Sequence, residues 1–124
     1  MKIEGTFSIQ DWQESIQKQF DDGSKLSSAE IKQNYSGQID GHSEVYYLMD
    51  YNTNGDACFC GIEYLYGTIN DKECRLKLKH DGQFKNGVAS SKFVVVNATP
   101  IKSLIGKTGH FESTESGQAD YYIS

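Results

Sequence analysis

Proline, cysteine and long apolar runs are all scarce in this sequence of 124 residues. It contains one proline and three cysteines. A small, odd number of cysteines does not suit a secreted domain held together by disulfides, so we expect a reducing, cytoplasmic location. No apolar run reaches the roughly eighteen residues of a membrane span, and the first residues lack the apolar stretch of a signal peptide. We therefore expect no membrane partner.

Basic residues are outnumbered as well. Twelve lysines and arginines stand against seventeen acidic residues, which gives a net charge of −5. Nucleic-acid binding depends on clustered basic side chains, so nucleic acid is not an expected partner. The apolar share of 37% and the charged share of 23% are ordinary for a folded protein. The length fits one domain over residues 1–124.

Glycine and tyrosine are abundant, and the chain divides into segments of strand length. Twelve glycines and eight tyrosines favour strands joined by tight turns. Turn signals recur about every 8 to 14 residues, a spacing typical of a meander, a sandwich or a barrel. The predicted strands cover residues 2–9, 25–38, 42–52, 56–69, 72–81, 88–97, 103–112 and 118–124.

Residues 11–20 are ambiguous. Trp12, Ile16 and Phe20 recur every four residues, as on a helix, and the segment opens with the spacing of a capping box. The same three residues also share one face of a strand. We favour an extended or irregular crossing over a short helix.

Turn residues set the register between neighbouring strands, and register decides which side chains share a face. We predict turns at residues 39–41, 53–55, 70–71 and 86–87. Together they give two rows of facing residues: Gln33, Tyr47, Gly61, His80 and Phe93 in one, and Tyr35, Val45, Glu63, Leu78 and Val95 in the other.

Charge patterning indicates which face is interior. In the fifth predicted strand the basic residues share one face, and the apolar residues share the other with His80. Charged side chains face water, so the inner face carries His80 and, through the register, Glu63. Gly61 would leave a gap there, which often marks the close approach of a ligand or of another backbone. The candidate ligand-binding residues are Gln33, Tyr35, Tyr47, Met49, Tyr51, Phe59, Gly61 and Phe93.

Glu63 and His80 are the candidate catalytic pair. An inward carboxylate beside an imidazole suits proton transfer during an isomerisation. The alternative is a buried structural pair that is satisfied by hydrogen bonds, which is common in protein interiors. The inward tyrosines leave the same choice, because they would either orient the polar group of a ligand or fill the core.

No metal and no cofactor are expected. Cys58 and Cys60 lie two residues apart on a strand, and only Cys74 remains, so the second cysteine pair of a zinc site is missing. The three histidines have no metal-ligand spacing.

Residues 35–84 resemble a bacterial family of small uncharacterised domains. The shared pattern is SG followed by a later G, then YLM-x-Y, G-x-A-x-F-x-G-x-E, a turn glycine and L-x-H-x-G-x-F. Gly5-Thr6-Phe7 and Trp12 match as well. The matching positions within the stretch are Ser36, Gly37, Gly41, Tyr47, Leu48, Met49, Tyr51, Gly55, Ala57, Phe59, Gly61, Glu63, Gly67, Leu78, His80, Gly82 and Phe84.

The resemblance implies an all-β fold, a closed eight-stranded antiparallel meander barrel similar to the allene oxide cyclases. Those plant enzymes are trimers that hold a fatty-acid epoxide in an apolar barrel, but the bacterial family has no established activity, so the resemblance implies none here. The chain departs from the family pattern between Asn97 and Gly109, where residues 98–101 replace a glycine-rich loop. We expect one barrel mouth to differ in shape.

Three functions fit these predictions. The first is binding of a small, partly apolar molecule inside the barrel, since ligands favour barrel mouths. The second is an isomerase or cyclase that acts on an apolar metabolite with Glu63 as acid or base. The third is a structural oligomer whose barrel is filled by its own side chains. A filled interior would exclude the first two.

Residues that alternate with the interior ones form an outer aromatic patch on the third and fourth predicted strands. Soluble monomers seldom leave such a patch bare, so we expect a trimer or a dimer. The alternative is that residues 11–20 or the C-terminal tail fold over it. The outer aromatic patch consists of Tyr46, Leu48, Cys58, Cys60, Ile62, Tyr64 and Tyr66.

Overall fold

The computed structural model describes residues 2–115 and 117–124, which form a closed barrel of eight antiparallel strands. A 3-10 helix, Lys102–Leu104, lies between the sixth and seventh strands. The predicted all-β, closed meander barrel is therefore confirmed. The strands are β1 (Ile3–Gln19), β2 (Lys25–Gly37), β3 (Ile39–Tyr51), β4 (Ala57–Ile69), β5 (Lys72–Lys85), β6 (Val88–Thr99), β7 (Thr108–Ser113) and β8 (Gln118–Ile123).

The ambiguous segment is a strand. β1 continues to Gln19 and pairs with β2 along its whole length, with irregularities of the β-bulge type after Ile9 and Ile16. The extended alternative is thus confirmed and the helix is excluded. β8 pairs with β1 only as far as Ser8, so residues 11–19 of β1 pair with β2 alone and extend past the end of β8. We call this part the overhang, and the barrel end beneath it the mouth.

The register across β3, β4, β5 and β6 is confirmed. Val45 pairs with Glu63, Gly61 pairs with His80, and His80 pairs with Phe93. The short turns at 53–55, 70–71 and 86–87 fix this alignment, and all three contain residues with positive φ, as tight hairpins require.

The predicted register between β2 and β3 is wrong by four residues. Gln33 faces Ser43 rather than Tyr47, and Tyr35 faces Gly41. Because the shift is an even number of residues, alternation keeps both side chains on the inner face, and both are buried.

The error lies in which glycine makes the turn. Gly37 has a φ of +105° and the chain reverses beside it. Gly41 lies inside β3 instead, where a Cβ would stand 2.1 Å from the carbonyl oxygen of Tyr66. Gly41 is therefore needed for the close approach of β3 and β4, not for a turn.

The predicted seventh strand, residues 103–112, begins too early. Residues up to Leu104 form the 3-10 helix, and β7 starts at Thr108. Leu104 is buried in the core, where it packs at the barrel end opposite the mouth together with Ile39, Ile69 and Ile123, which end or begin strands there. The segment that departs from the family pattern thus plugs this end, which we call the closed end.

Aromatic rings fill much of the interior by lying over glycines. A Cβ at Gly109 would stand 2.3 Å from the Phe93 ring, and a Cβ at Gly82 would stand 2.5 Å from the Phe59 ring. These glycines make room for the rings of the next strand, an arrangement that also pins register. The pairs are Tyr47 with Gly61, Phe59 with Gly82, and Phe93 with Gly109.

Within the two described ranges, the chain has no helix with the length and apolar character that crossing a membrane requires.

Candidate functional site

Glu63 and His80 meet in the barrel interior. β4 and β5 place them on adjacent strands, one register position apart, and their exposed fractions are 1% and 2%. The His80 Nε2 and Glu63 Oε1 atoms are 2.6 Å apart. The predicted inward orientation and proximity of the pair are confirmed, and the catalytic role stays a prediction.

Two further side chains complete a buried network. The Tyr35 hydroxyl donates to Glu63 Oε2 at 2.5 Å, and Ser91 Oγ lies 2.9 Å from His80 Nδ1. We call these four residues the proton network. Sequence reasoning missed Ser91, although alternation along β6 places it on the same inner face as Phe93.

Hydrogen-bond partners limit where the protons of this network can lie. The Ser91 hydroxyl oxygen lies 2.9 Å from His80 Nδ1 and 3.1 Å from the carbonyl oxygen of Lys92. When this hydroxyl donates to Lys92, its oxygen accepts from Nδ1–H of His80, and one further proton lies between His80 Nε2 and Glu63 Oε1. On either atom it leaves the pair with no net charge, which avoids the large cost of an unpaired buried ion.

Interior tyrosines surround the Glu63 carboxyl group. Burial, followed by the Glu63 charge and the hydrogen bond to Glu63, holds the pKa of Tyr35 well above its usual value. Burial and the same charge raise the pKa of Tyr47 well above its usual value. Burial also raises the pKa of Tyr121 to about 12. All three hydroxyls therefore stay protonated at neutral pH, and each has a hydrogen that it can donate.

The Tyr47 hydroxyl has no hydrogen-bond partner among the described residues, although its oxygen is buried. The Tyr121 hydroxyl approaches the backbone of Ile39 without reaching hydrogen-bond geometry. A buried polar group without a partner costs about 1–3 kcal/mol. Tyr47 is the more informative of the two because its ring also borders a pocket.

That pocket, the mouth pocket, has a volume of about 90 Å³. It lies beneath the overhang, where the six-residue strands β7 and β8 leave the barrel wall low. The interior is thus largely but not completely filled. Its lining, mostly apolar, consists of Phe7, Ile9, Trp12, Ile31, Gln33, Tyr47, Met49, Phe59, Phe84, Ala89, Phe111, Ser113, Gly117, Gln118 and Ala119.

Four of the predicted ligand-binding residues line the mouth pocket, namely Gln33, Tyr47, Met49 and Phe59. Gln33 and Tyr47 supply polar groups, and the Gln33 side-chain oxygen accepts a long hydrogen bond of 3.4 Å from Ser43.

The other four predicted residues lie elsewhere. Tyr35 belongs to the proton network, and Phe93 packs against His80 with ring centroids 5.0 Å apart. Gly61 leaves no gap, because a Cβ on it would stand 1.9 Å from a backbone carbonyl oxygen of β3. Tyr51 is half-buried, and its hydroxyl contacts the Met49 sulfur at 3.7 Å. Burial, followed by a hydrogen bond with Glu14, raises the pKa of Tyr51 to about 12.

The overhang contributes Trp12, which is not among the ligand-binding residues predicted from the sequence. Its Nε1–H donates to Glu14 Oε1 at 3.0 Å, and Ser27 Oγ donates to Glu14 Oε2 at 2.5 Å. Partial burial raises the pKa of Glu14, but the hydrogen bonds with Ser27, Trp12 and Tyr51 and the charge of Lys25 together outweigh it and leave the pKa below the usual value. The indole is thus fixed by its nitrogen, while its ring borders the pocket and is 41% exposed.

Tyr47 links the two parts of the site. Its ring lies edge-on to the His80 ring, with centroids 5.7 Å apart, and it forms part of the pocket wall. Glu63 itself does not line the mouth pocket.

Over residues 2–115 and 117–124, no three histidine, cysteine or acidic side chains converge as a metal site would require. The three cysteines are free, and Cys58 and Cys60 lie on the outer surface.

Comparison with known proteins identifies the family of this barrel. Residues 3–124 match the family described as "Protein of unknown function (DUF3224)". The chain belongs to the DUF3224 family. This confirms the resemblance inferred from residues 35–84, whereas the likeness to allene oxide cyclases stays a prediction. No curated protein matches the sequence.

Two solved structures share the barrel. A DUF3224 protein of unknown function from Shewanella oneidensis MR-1 superposes with a TM-score of 0.68 at 22% identity, covering 100% of this chain and 94% of that chain. An enzyme from Penicillium herquei superposes with a TM-score of 0.62 at 10% identity, covering 99% and 91% of the two chains. At these identities the similarity shows a common fold.

Proposed function

We propose that this DUF3224 protein binds a small, partly apolar molecule in the mouth pocket, with the polar group of that molecule bonded to Tyr47. The observation that carries the proposal is the buried Tyr47 hydroxyl, which has no partner among the described residues and belongs to a residue of a mostly apolar pocket wall. Ligand pockets in proteins typically combine apolar walls with a few convergent polar groups.

Energetics support this reading. An unpartnered buried hydroxyl costs about 1–3 kcal/mol, and a ligand atom that accepts its proton would recover much of that cost. Gln33 lies in the same wall and offers a second hydrogen-bonding group.

The pocket volume limits the ligand. Its volume of about 90 Å³ is smaller than the cavity of about 150 Å³ that holds benzene in an engineered protein. The ligand is therefore either a molecule of about four heavy atoms or a larger one that inserts one end. In the second case the remainder would lie against the exposed ring of Trp12.

A matched pair of ligands tests the proposal. Cyclopentanone and methylenecyclopentane have nearly the same shape, but only the ketone accepts a hydrogen bond. We expect NMR titration to show shifts of Met49 and Phe111 resonances with both molecules. The ketone should bind about two- to tenfold more tightly, the gain of one net hydrogen bond, and Tyr47→Phe should remove this preference.

Ile105→Ala, an exposed residue outside both the mouth pocket and the outer aromatic patch, is the control that should leave both affinities unchanged. Shifts that appear outside the mouth pocket, or a ketone preference that survives Tyr47→Phe, would contradict the proposal.

The second candidate function is proton transfer on an apolar carbonyl compound. The proton network supports it, because Glu63 and His80 are hydrogen-bonded to each other and the Tyr47 ring contacts His80 and also borders the pocket. The likeness to a fungal enzyme is compatible with it.

The two candidates differ in a measurable way. Proton transfer requires that the protein accelerate exchange of the α-protons of cyclopentanone in deuterated water and that Glu63→Gln abolish this acceleration while the ketone still binds. Binding without accelerated exchange leaves the binding function alone.

A further inference from the structure

The outer aromatic patch on β3 and β4 stays uncovered by the described residues. Tyr46 is 43% exposed and Leu48 is 45% exposed. The overhang does not fold over the patch, since it pairs with β2 and extends past the end of β8. The C-terminal strand β8 lies between β1 and β7. Both segments that were candidates to cover the patch are therefore elsewhere.

Aromatic contacts hold the middle of the patch in place. The rings of Tyr46 and Tyr64 meet edge to face with centroids 6.2 Å apart, and the Lys77 ammonium group lies 5.7 Å from the centroid of the Tyr64 ring. A surface of ordered aromatic rings loses little side-chain entropy on binding, and interface cores are enriched in such residues.

Side chains of opposite charge flank the patch. On the β5 side, the outward residues that pair with Tyr66, Tyr64 and Ile62 form a basic strip: Arg75, Lys77 and Lys79. On the opposite side lies a surface groove of about 260 Å³, and among its eight lining residues the charged ones are three acidic residues and one lysine. These residues, which we call the acidic strip, are Asp11, Glu30, Glu44 and Lys32.

The strand register shows what this arrangement fits. Glu44 pairs with Tyr64, and Tyr64 pairs with Lys77, so these three lie in one row from acidic to basic. In a face-to-face pair of copies related by a two-fold axis parallel to the strands, the second copy presents the same row in reverse order. Lys77 of each copy then lies on the side of Glu44 of the other, twice per dimer.

We propose that the outer aromatic patch binds a second copy of this chain in a two-fold dimer, with the acidic strip of each copy on the side of the basic strip of the other. A two-fold axis perpendicular to the strands would instead set the basic strip against itself, and like charges that face each other are unfavourable.

Charge reversal tests the dimer directly by sedimentation velocity at about 1–200 µM protein, a range that spans typical weak association. The wild-type chain should form dimers. Lys77→Glu and Glu44→Lys should each weaken the dimer about tenfold or more, because each variant alone sets like charges together at two places.

Recombination of the two variants separates this proposal from a general loss of folding. An equimolar mixture of Lys77→Glu and Glu44→Lys should restore dimers, and so should both changes in one chain. Lys102→Glu, which reverses an exposed charge in the 3-10 helix, is the control and should leave association unchanged. The circular dichroism spectrum should be the same for all variants.

A wild-type monomer across the whole range, or a trimer, would overturn the two-fold dimer. Loss of dimers in both single variants without recovery in the mixture would also overturn it, since Glu44 and Lys77 would then not lie together across the interface.

Discussion

The proton network and the mouth pocket meet at the Tyr47 ring, but they differ in whether their tyrosine hydroxyls have hydrogen-bond partners. In the network, the Tyr35 hydroxyl, both Glu63 oxygens and both His80 nitrogens have partners. The Tyr47 hydroxyl, on the residue whose ring borders the pocket, is also buried but has no partner among the described residues. The same residue type in the same barrel is thus used once to complete a structure and once to leave a bonding capacity free.

This difference separates a hydrogen-bonded interior from a mouth with unfilled volume. The network is held by satisfied hydrogen bonds, and the closed end is held by the apolar residues around Leu104. The mouth keeps an unfilled volume because β7 and β8 are short while β1 and β2 are long. A site that gives up some stability in this way is typical of binding regions.

Among the substitutions that test this difference, the largest loss of stability is expected for His80. His80→Leu removes the partner of a buried carboxyl group and should lower the free energy of unfolding by about 3–5 kcal/mol. Met49→Leu, a volume-conserving change in the pocket wall, should cost less than about 1.5 kcal/mol. Urea denaturation measures both, and equal losses would show that network and mouth do not differ.

A smaller loss is expected for Tyr35→Phe. The hydroxyl of Tyr35 donates to the Glu63 carboxyl group, and hydrogen bonds to charged groups contribute about 1.5–3 kcal/mol. Denaturation at neutral pH should show a loss of this size. An unchanged midpoint would mean that this hydrogen bond contributes nothing to the network.

Alkaline pH should weaken the barrel through its interior tyrosines. Burial raises the pKa of Tyr121 and of Tyr51 to about 12 and places the pKa of Tyr35 and Tyr47 well above the usual value. In the unfolded chain these hydroxyls ionise near pH 10, so the unfolded state loses protons that the folded state keeps. Stability is therefore full below pH 10 and falls as pH rises from about 10 through 12.

Absorbance of tyrosinate and circular dichroism, followed together from pH 8 to 12.5, would check this expectation. The slow or late fraction of tyrosine ionisation should coincide with loss of the β signal. Complete ionisation with an intact fold would contradict it.

Particular residues show which parts of the strand register could be predicted from the sequence. Tight turns of two or three residues fixed the alignment of Glu63 with His80 in advance, because such turns leave one register. The β2–β3 register failed because Gly37 and Gly41 both carry plausible turn signals, and only the approach of the Tyr66 carbonyl to Gly41 distinguishes them. That contact is between strands and leaves no local trace.

Only part of the candidate site could be predicted from the sequence, again because contacts between strands leave no local trace. Alternation along the strands placed Gln33, Tyr47, Met49 and Phe59 on the inner face, and they line the mouth pocket. It could not show that Gly61 is covered by the β3 backbone, nor that the short β7 and β8 open the wall beneath Trp12. Which inward hydroxyl lacks a partner depends on contacts across the barrel, and those contacts come only with closure.

The most direct test of the account is the stability of Tyr47→Phe, measured by urea denaturation beside Tyr35→Phe. Removing a buried hydroxyl that has no partner should leave the free energy of unfolding unchanged or raise it by up to about 1 kcal/mol, while Tyr35→Phe loses stability. A loss of about 1.5 kcal/mol or more in Tyr47→Phe would show that its hydroxyl is already bonded in the free protein. The central claim, that this hydroxyl is held free for a ligand, would then be contradicted.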